Sequence, residues 1–166
     1  LPGEVRGKLK KPQEWSGTTL QTLSYGYEIA ATPLQIAAAY AAVANRGVLM
    51  RPYIVARVTN AEGDVVYDQR PQVIRKVVSP ETAALLTRAF EGVVEQGTAM
   101  DVRIDGVRIA GKTGTSRKVV DGKYGLGNYT ASFTGFFPAE DPQIVCLVMM
   151  DNPRAVSYYG GLTSGP

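Results

Sequence analysis

The residues best equipped for chemistry are Lys112-Thr113-Gly114-Thr115, at the end of the strand-like run Val107-Arg108-Ile109-Ala110-Gly111. Placed on a strand, they offer a cation, two hydroxyl donors and, at Gly114, a backbone with no side chain in front of it. A ligand lying along the strand edge can therefore pair with the main chain while its anionic end meets Lys112 and the threonines. Such a set suits the carboxylate end of a peptide. The chain of 166 residues contains no histidine, which excludes a Ser-His-Asp or Cys-His apparatus and any His-ligated metal within it. Catalysis must draw on Lys, Ser, Thr, Tyr or carboxylates, and no metal or other cofactor is expected.

Cys146 is the single cysteine, so internal disulfides and thiolate zinc clusters are ruled out. It lies in the apolar run Ile144 to Met150 and reads as a packed, inert thiol. Eighteen Lys plus Arg against fifteen Asp plus Glu leave a formal charge of +3, with the basic residues scattered, so nucleic acid is not an expected partner. No apolar stretch approaches the roughly 18 residues of a membrane span. Leu1-Pro2-Gly3-Glu4 is neither a start nor a signal peptide, and the chain reads as an internal piece of a longer protein. Its compartment therefore does not follow from missing targeting signals.

The elements that must position these groups follow from local signals. Residues 1 to 19 show no periodicity and read as a surface segment anchored by Trp15. Thr32-Pro33 predicts a helix start, followed at helical spacing by Leu34, Ile36, Ala37, Tyr40, Ala41 and Ala44 and ended by Asn45-Arg46-Gly47. Its alanine content predicts close packing on several sides. Pro52 to Val58 and Asp64 to Tyr67 predict a hairpin through Asn60-Ala61-Glu62-Gly63. Ser79-Pro80-Glu81 starts a second helix, with Ala84, Leu85, Ala89, Phe90 and Val93 on one face and Gly97 as its stop. Val107 to Thr115, Tyr129 to Phe137 and Gln143 to Met150 predict three strands, separated by a long Gly/Lys/Asp loop and by Pro138-Ala139-Glu140-Asp141-Pro142. Helix, hairpin, helix and three strands argue for an α+β fold, with helices layered on an antiparallel sheet.

K-T-G is the third motif of penicillin-binding proteins and β-lactamases, after S-x-x-K and S-D-N. The surroundings are similar too: Gly111-Lys112-Thr113-Gly114-Thr115-Ser116 opens a strand hairpin, and Phe133-Thr134-Gly135-Phe136-Phe137-Pro138-Ala139 follows on the returning strand. Leu23-Ser24-Tyr25-Gly26-Tyr27 with Ala31-Thr32-Pro33-Leu34-Gln35 resembles class B penicillin-binding proteins. Asp151-Asn152-Pro153 and Tyr158-Tyr159-Gly160-Gly161 resemble the division-specific branch. The likeness runs from about residue 14 to the end. No serine is followed by lysine at the third position or by asparagine at the second, so the first two motifs are absent.

The resemblance implies that residues 1–166 are the C-terminal portion of one D,D-transpeptidase domain, completed by an N-terminal part that carries the serine. It also implies that one face of the sheet lacks the cover of a final helix. The implied reaction is acyl transfer: the serine attacks the D-Ala-D-Ala bond of a peptidoglycan stem peptide, and an amine of a second stem resolves the acyl-enzyme. By position, Lys112 would serve the active-site hydroxyl network, and Thr113 and Thr115 would bind the carboxylate of substrate or β-lactam. The Thr115 N–H would be an oxyanion donor, and Gly114 would keep the edge open.

Tyr124, Tyr129, Tyr158 and Tyr159 would form an aromatic wall, or else cap the sheet ends with hydroxyls in water. Arg117, Lys118 and Lys123 read as a solvated basic loop, and Trp15, Phe136 and Phe137 as core. The family places such a domain on the outer face of the cytoplasmic membrane, anchored from outside this segment, with division proteins as further partners. The alternatives are a β-lactam-sensing receptor domain and a serine β-lactamase.

Overall fold

The computed structural model describes residues 3–120, 123–154 and 157–166. Its centre is an antiparallel sheet of three strands in the order β7-β8-β9, formed by Ala110–Val120, Lys123–Phe137 and Ile144–Asp151. The register sets Lys112 opposite Thr134, Thr113 opposite Phe133 and Thr115 opposite Ala131. The expected long loop after the lysine motif is instead mostly strand: β7 and β8 continue as a ribbon to Val120 and Lys123.

Two helices cover one face. In α2 (Pro33–Ala44) the Thr32 hydroxyl accepts from the Gln35 N–H at 3.2 Å while the Gln35 side chain accepts from the Thr32 N–H at 3.0 Å, a reciprocal cap. Gly47 ends that turn at φ +86°, where a Cβ would strike the Val78 carbonyl. In α3 (Pro80–Gln96) the Ser79 hydroxyl accepts from the Thr82 N–H. Both helix starts match the sequence expectation.

The packed faces are less exactly as expected. In α3 the buried residues are Ala83, Glu91 and Val94, while Ala84, Leu85 and Ala89 are exposed. The stripe is turned by about one residue and takes in Glu91, which is paired: the Arg108 Nη2 donates to it at 2.5 Å. α2 meets α3 and the central sheet, so it is packed on more than one side as expected, but only Ala42 is buried and most other positions are half-buried, so the cover is looser than its alanine content suggests.

Phe136, Ala110 and Ala139 form one core cluster, with Tyr40, Val43, Phe90 and Val145 against it. Ile109 and Phe133 form a second with Val94, Ala99 and Val102, joined by Phe137. Phe136 and Phe137 are thus core as expected. Trp15 is not: it is 38% exposed and its indole N–H donates to the Lys10 carbonyl. Cys146 is exposed too, against the expectation, since it sits on β9 beside an open groove of about 360 Å³ lined by Ile109, Phe133, Phe137 and Val148. This is the thinly covered sheet face.

Smaller elements surround the centre. β1 (Lys8–Leu9) pairs with β2 (Ile29–Ala30), with α1 (Thr19–Ser24) between them. β3 (Val48–Met50) pairs with β6 (Val73–Lys76), and β4 (Arg57–Thr59) with β5 (Val65–Asp68). The expected hairpin is therefore present but shorter, beginning at Arg57. α4 (Gly160–Thr163) follows the sheet.

Candidate functional site

Among the described residues β7 pairs on one side only, so its other edge is open. Lys112 donates through Nζ to the Thr113 carbonyl at 3.0 Å and to the Thr113 hydroxyl at 3.3 Å. In an antiparallel ladder a residue's N–H and C=O point to the same side and alternate along the strand. The carbonyl oxygens of the opposed residues Gly114 and Ser132 both lie 2.4 Å from the point a Cβ on Gly160 would occupy, so Gly114 turns its main-chain groups toward β8, and Thr113 and Thr115 turn theirs to the open edge.

The threonine hydroxyls are already engaged. Thr98, just beyond α3, places its Oγ1 2.7 Å from Thr113 Oγ1. The Gly160 N–H at the start of α4 donates to Thr115 Oγ1 at 3.0 Å. Gly160 lies flat on the ribbon, and a Cβ there would come within 2.4 Å of the Gly114 and Ser132 carbonyl oxygens. Only glycine permits this approach. Thr98, Thr113, Thr115, Tyr159 and Gly161 line a groove of about 360 Å³.

Beside it stand three aromatic rings. Tyr129 on β8 stacks on Tyr158, centroids 4.3 Å apart at 14°, and Tyr158 lies 4.5 Å from Tyr159. The Tyr158 hydroxyl donates to that of Tyr159 at 3.2 Å, and this bond together with the neighbouring phenol pushes the Tyr158 pKa above its ordinary value of 10.0. The Tyr124 side chain lies outside the described residues. Lys118 is no free loop cation: it pairs with Asp151 at 2.7 Å, bracing β7 to β9 across β8. Arg117 is exposed, as expected of it, and Lys123 has no described side chain.

The structure therefore gathers Lys112, Thr113, Gly114, Thr115, Tyr129, Tyr158 and Tyr159 at one end of the sheet. Three participants were not read from the sequence: Thr98, the Gly160 N–H and the Lys118–Asp151 brace. Gly97-Thr98 at a helix stop and the Gly160-Gly161 pair were the available signals. Cation, hydroxyls and edge N–H groups can hold an anion and stabilise an oxyanion. Among the described residues there is no group of three or more Cys, Asp or Glu able to hold a metal, and no helix long and apolar enough to cross a membrane.

Residues 1–166 match the family model for the penicillin-binding protein transpeptidase domain. The chain is 33% identical over 166 residues to the probable peptidoglycan D,D-transpeptidase PenA of Neisseria gonorrhoeae, covering all of this chain and 27% of that protein. The transpeptidase domain of Burkholderia pseudomallei penicillin-binding protein 3 superposes with a TM-score of 0.83 at 36% identity, over 100% of this chain and 48% of that one. Mycobacterium tuberculosis penicillin-binding protein 3 complexed with aztreonam also gives a TM-score of 0.83, at 34% identity, over 92% of this chain and 36% of that one. The chain spans about a quarter of the length of the curated relatives it matches.

Proposed function

Since the chain belongs to the penicillin-binding protein transpeptidase family, we propose that it is the C-terminal portion of a peptidoglycan D,D-transpeptidase domain. It works with a serine-bearing segment that precedes it. The serine attacks the D-Ala-D-Ala carbonyl of a stem peptide, D-Ala leaves, and the amine of a second stem takes the acyl group. β-lactams acylate the same serine.

The observation that carries this reading is the lysine-threonine-glycine-threonine run on the open edge of β7, with a groove and an aromatic wall beside it. Lys112 supplies positive potential to the serine's hydroxyl network. Thr113 and Thr115 receive the substrate carboxylate. Thr115 Oγ1 already accepts the Gly160 N–H, so its own proton is free for an anion in the groove. The edge N–H of Thr115 is one oxyanion donor. Tyr129, Tyr158 and Tyr159 wall the substrate in. The role is in septal wall synthesis, on the outer face of the cytoplasmic membrane, alongside other division proteins.

The test is acylation of the full-length protein by benzylpenicillin and by its methyl ester, which lacks the carboxylate charge. Thr113→Val keeps the β-branched shape and deletes the hydroxyl. It is expected to slow the acid about tenfold to a hundredfold more than the ester, the range of one charge-assisted hydrogen bond. Equal losses would remove Thr113 from the carboxylate site. The isolated segment 1–166 is expected to form no adduct with a fluorescent penicillin.

A further inference from the structure

A hydroxyl carries one proton and accepts up to two hydrogen bonds. Thr113 Oγ1 has two neighbours, the Lys112 ammonium at 3.3 Å and Thr98 Oγ1 at 2.7 Å. The ammonium can only donate, so the Thr98–Thr113 contact decides where the Thr113 proton goes. If Thr113 donates to Thr98, it has nothing left for a ligand. If Thr98 donates to Thr113, the Thr113 oxygen receives two protons and its own must point elsewhere, into the groove that both residues line.

We propose that Thr98 is a positioning residue for substrate: its hydroxyl donates to Thr113 and thereby aims the Thr113 proton at the ligand carboxylate. This rests on the reading of Thr113 as a carboxylate donor. The relay runs Thr98 O–H to Thr113 O–H to carboxylate oxygen, and hydrogen bonds in such a chain polarise one another.

The backbone holds Thr98 in place for the task. The N–H groups of Gly97 and Ala99, on either side of it, both donate to the Val93 carbonyl at 3.1 Å, so the exit of α3 is closed around Thr98. Ala99 is fully buried in the core cluster that contains Ile109 and Phe133, which ties this turn to the sheet. On the other side α4 presses against it: a Cβ on Gly161 would lie 2.1 Å from the Thr98 carbonyl oxygen and 3.4 Å from the Thr113 methyl carbon. A side chain so located meets Thr113 without a search over backbone conformations.

The experiment measures the ratio of second-order acylation rates for benzylpenicillin and its methyl ester on the full-length protein. Thr98→Val is expected to lower the acid-to-ester ratio about threefold to tenfold, the range of one neutral hydrogen bond. Thr98→Ser, which restores a hydroxyl, is expected to return the ratio to within about twofold of wild type. With Thr113→Val already present, adding Thr98→Val is expected to change the ratio less than about twofold, because the relay has lost its middle member.

Two outcomes overturn the proposal, and they are distinguishable. If Thr113→Val lowers the ratio while Thr98→Val leaves it unchanged, or lowers it equally in both backgrounds, the relay is wrong and the carboxylate site stands. If Thr113→Val itself leaves the ratio unchanged, the carboxylate site falls and the relay falls with it. Should the Thr98→Val protein unfold, Thr98→Ala and Thr98→Ser take its place: a lower ratio for alanine than for serine supports the relay, and equal ratios overturn it.

Discussion

The β7–β8 ribbon and the β4–β5 ribbon are both antiparallel hairpins, yet they are held by different physics. In β7–β8, Ala110, Ala131 and Phe136 are fully shielded and Phe133 nearly so, because a third strand and two helices close over them. In β4–β5, Val58, Val65, Val66 and Tyr67 are all more than two-fifths exposed, and no third strand joins among the described residues. What closes that ribbon is polar: Asp68 takes Arg57 at 3.2 Å and Arg70 at 2.8 Å, and Asn60 and Asp64 tie the turn. The β1–β2 pair is of the second kind, gathered around Glu28. Alternating apolar residues make a ribbon; a site that must hold atoms to a fraction of an ångström needs the buried kind.

The comparison breaks first at the site itself. Lys112→Ala in the full-length protein is expected to slow β-lactam acylation at least about a hundredfold, on the scale of a positioned acid-base or electrostatic group. Acylation within about threefold of wild type would make the braced ribbon a mere frame. Next comes the brace. Gly160→Ala drives a Cβ against the Gly114 and Ser132 carbonyls, which are backbone and cannot swing aside. Denaturant unfolding is expected to show a loss of about 1–3 kcal/mol, the usual range for overpacking. Acylation should slow as well, because α4 lifts from Thr115. Unchanged stability would mean that α4 is not clamped to the ribbon.

What can be read in advance divides along the same line. Thr32-Pro33 and Ser79-Pro80 announce helices through three or four neighbouring residues, and Lys112 to Thr115 announces a site within four. These are local facts. The β3–β6 pairing is not legible because its partners are about 25 residues apart and each only three or four residues long. The buried face of α3 is not legible from its spacing alone because it includes Glu91, a charged residue whose partner Arg108 comes 17 residues later. Lys118 reads as solvated because Asp151 is 33 residues away. Thr98 has no sequence signature beyond a glycine before it; only the fold brings it to Thr113. Trp15 is expected as core since tryptophan usually is, but its segment is organised around a carboxylate.

That carboxylate gives the third prediction. Glu28 accepts from Lys10 at 2.6 Å, Thr22 at 2.7 Å and Thr19 at 3.0 Å, and these bonds, the lysine's foremost, hold its pKa down from 4.5 to about 2. A carboxyl with a lowered native pKa binds protons more readily when unfolded. Its stabilisation is therefore complete above about pH 4.5 and is lost as pH falls toward about 2. Hydrogen exchange of residues 8–30, corrected for intrinsic rates, should accelerate over that window while residues 110–117 and 129–137 stay protected. Glu28→Gln should show the faster exchange already at pH 7. Equal protection of both regions at pH 3 would mean that the peripheral knot is not held by its carboxylate.

The smallest effect is expected at Asp68, and its smallness is the point. The two guanidinium groups it holds are 59% and 83% exposed, so water and salt compete with both pairs. Exposed ion pairs contribute about 0–1 kcal/mol, and in 1 M salt the screening length shrinks to about 3 Å. Asp68→Asn keeps the side chain's shape and removes its charge. Denaturant titrations of the full-length protein in low salt should show a loss below about 1 kcal/mol, shrinking further in 1 M sodium chloride. The β4–β5 ribbon can open without exposing core, since its valines already face solvent. A loss above about 2 kcal/mol, insensitive to salt, would mean that the ribbon's apolar face is covered in the full-length protein and that β4–β5 belongs with β7–β8 after all.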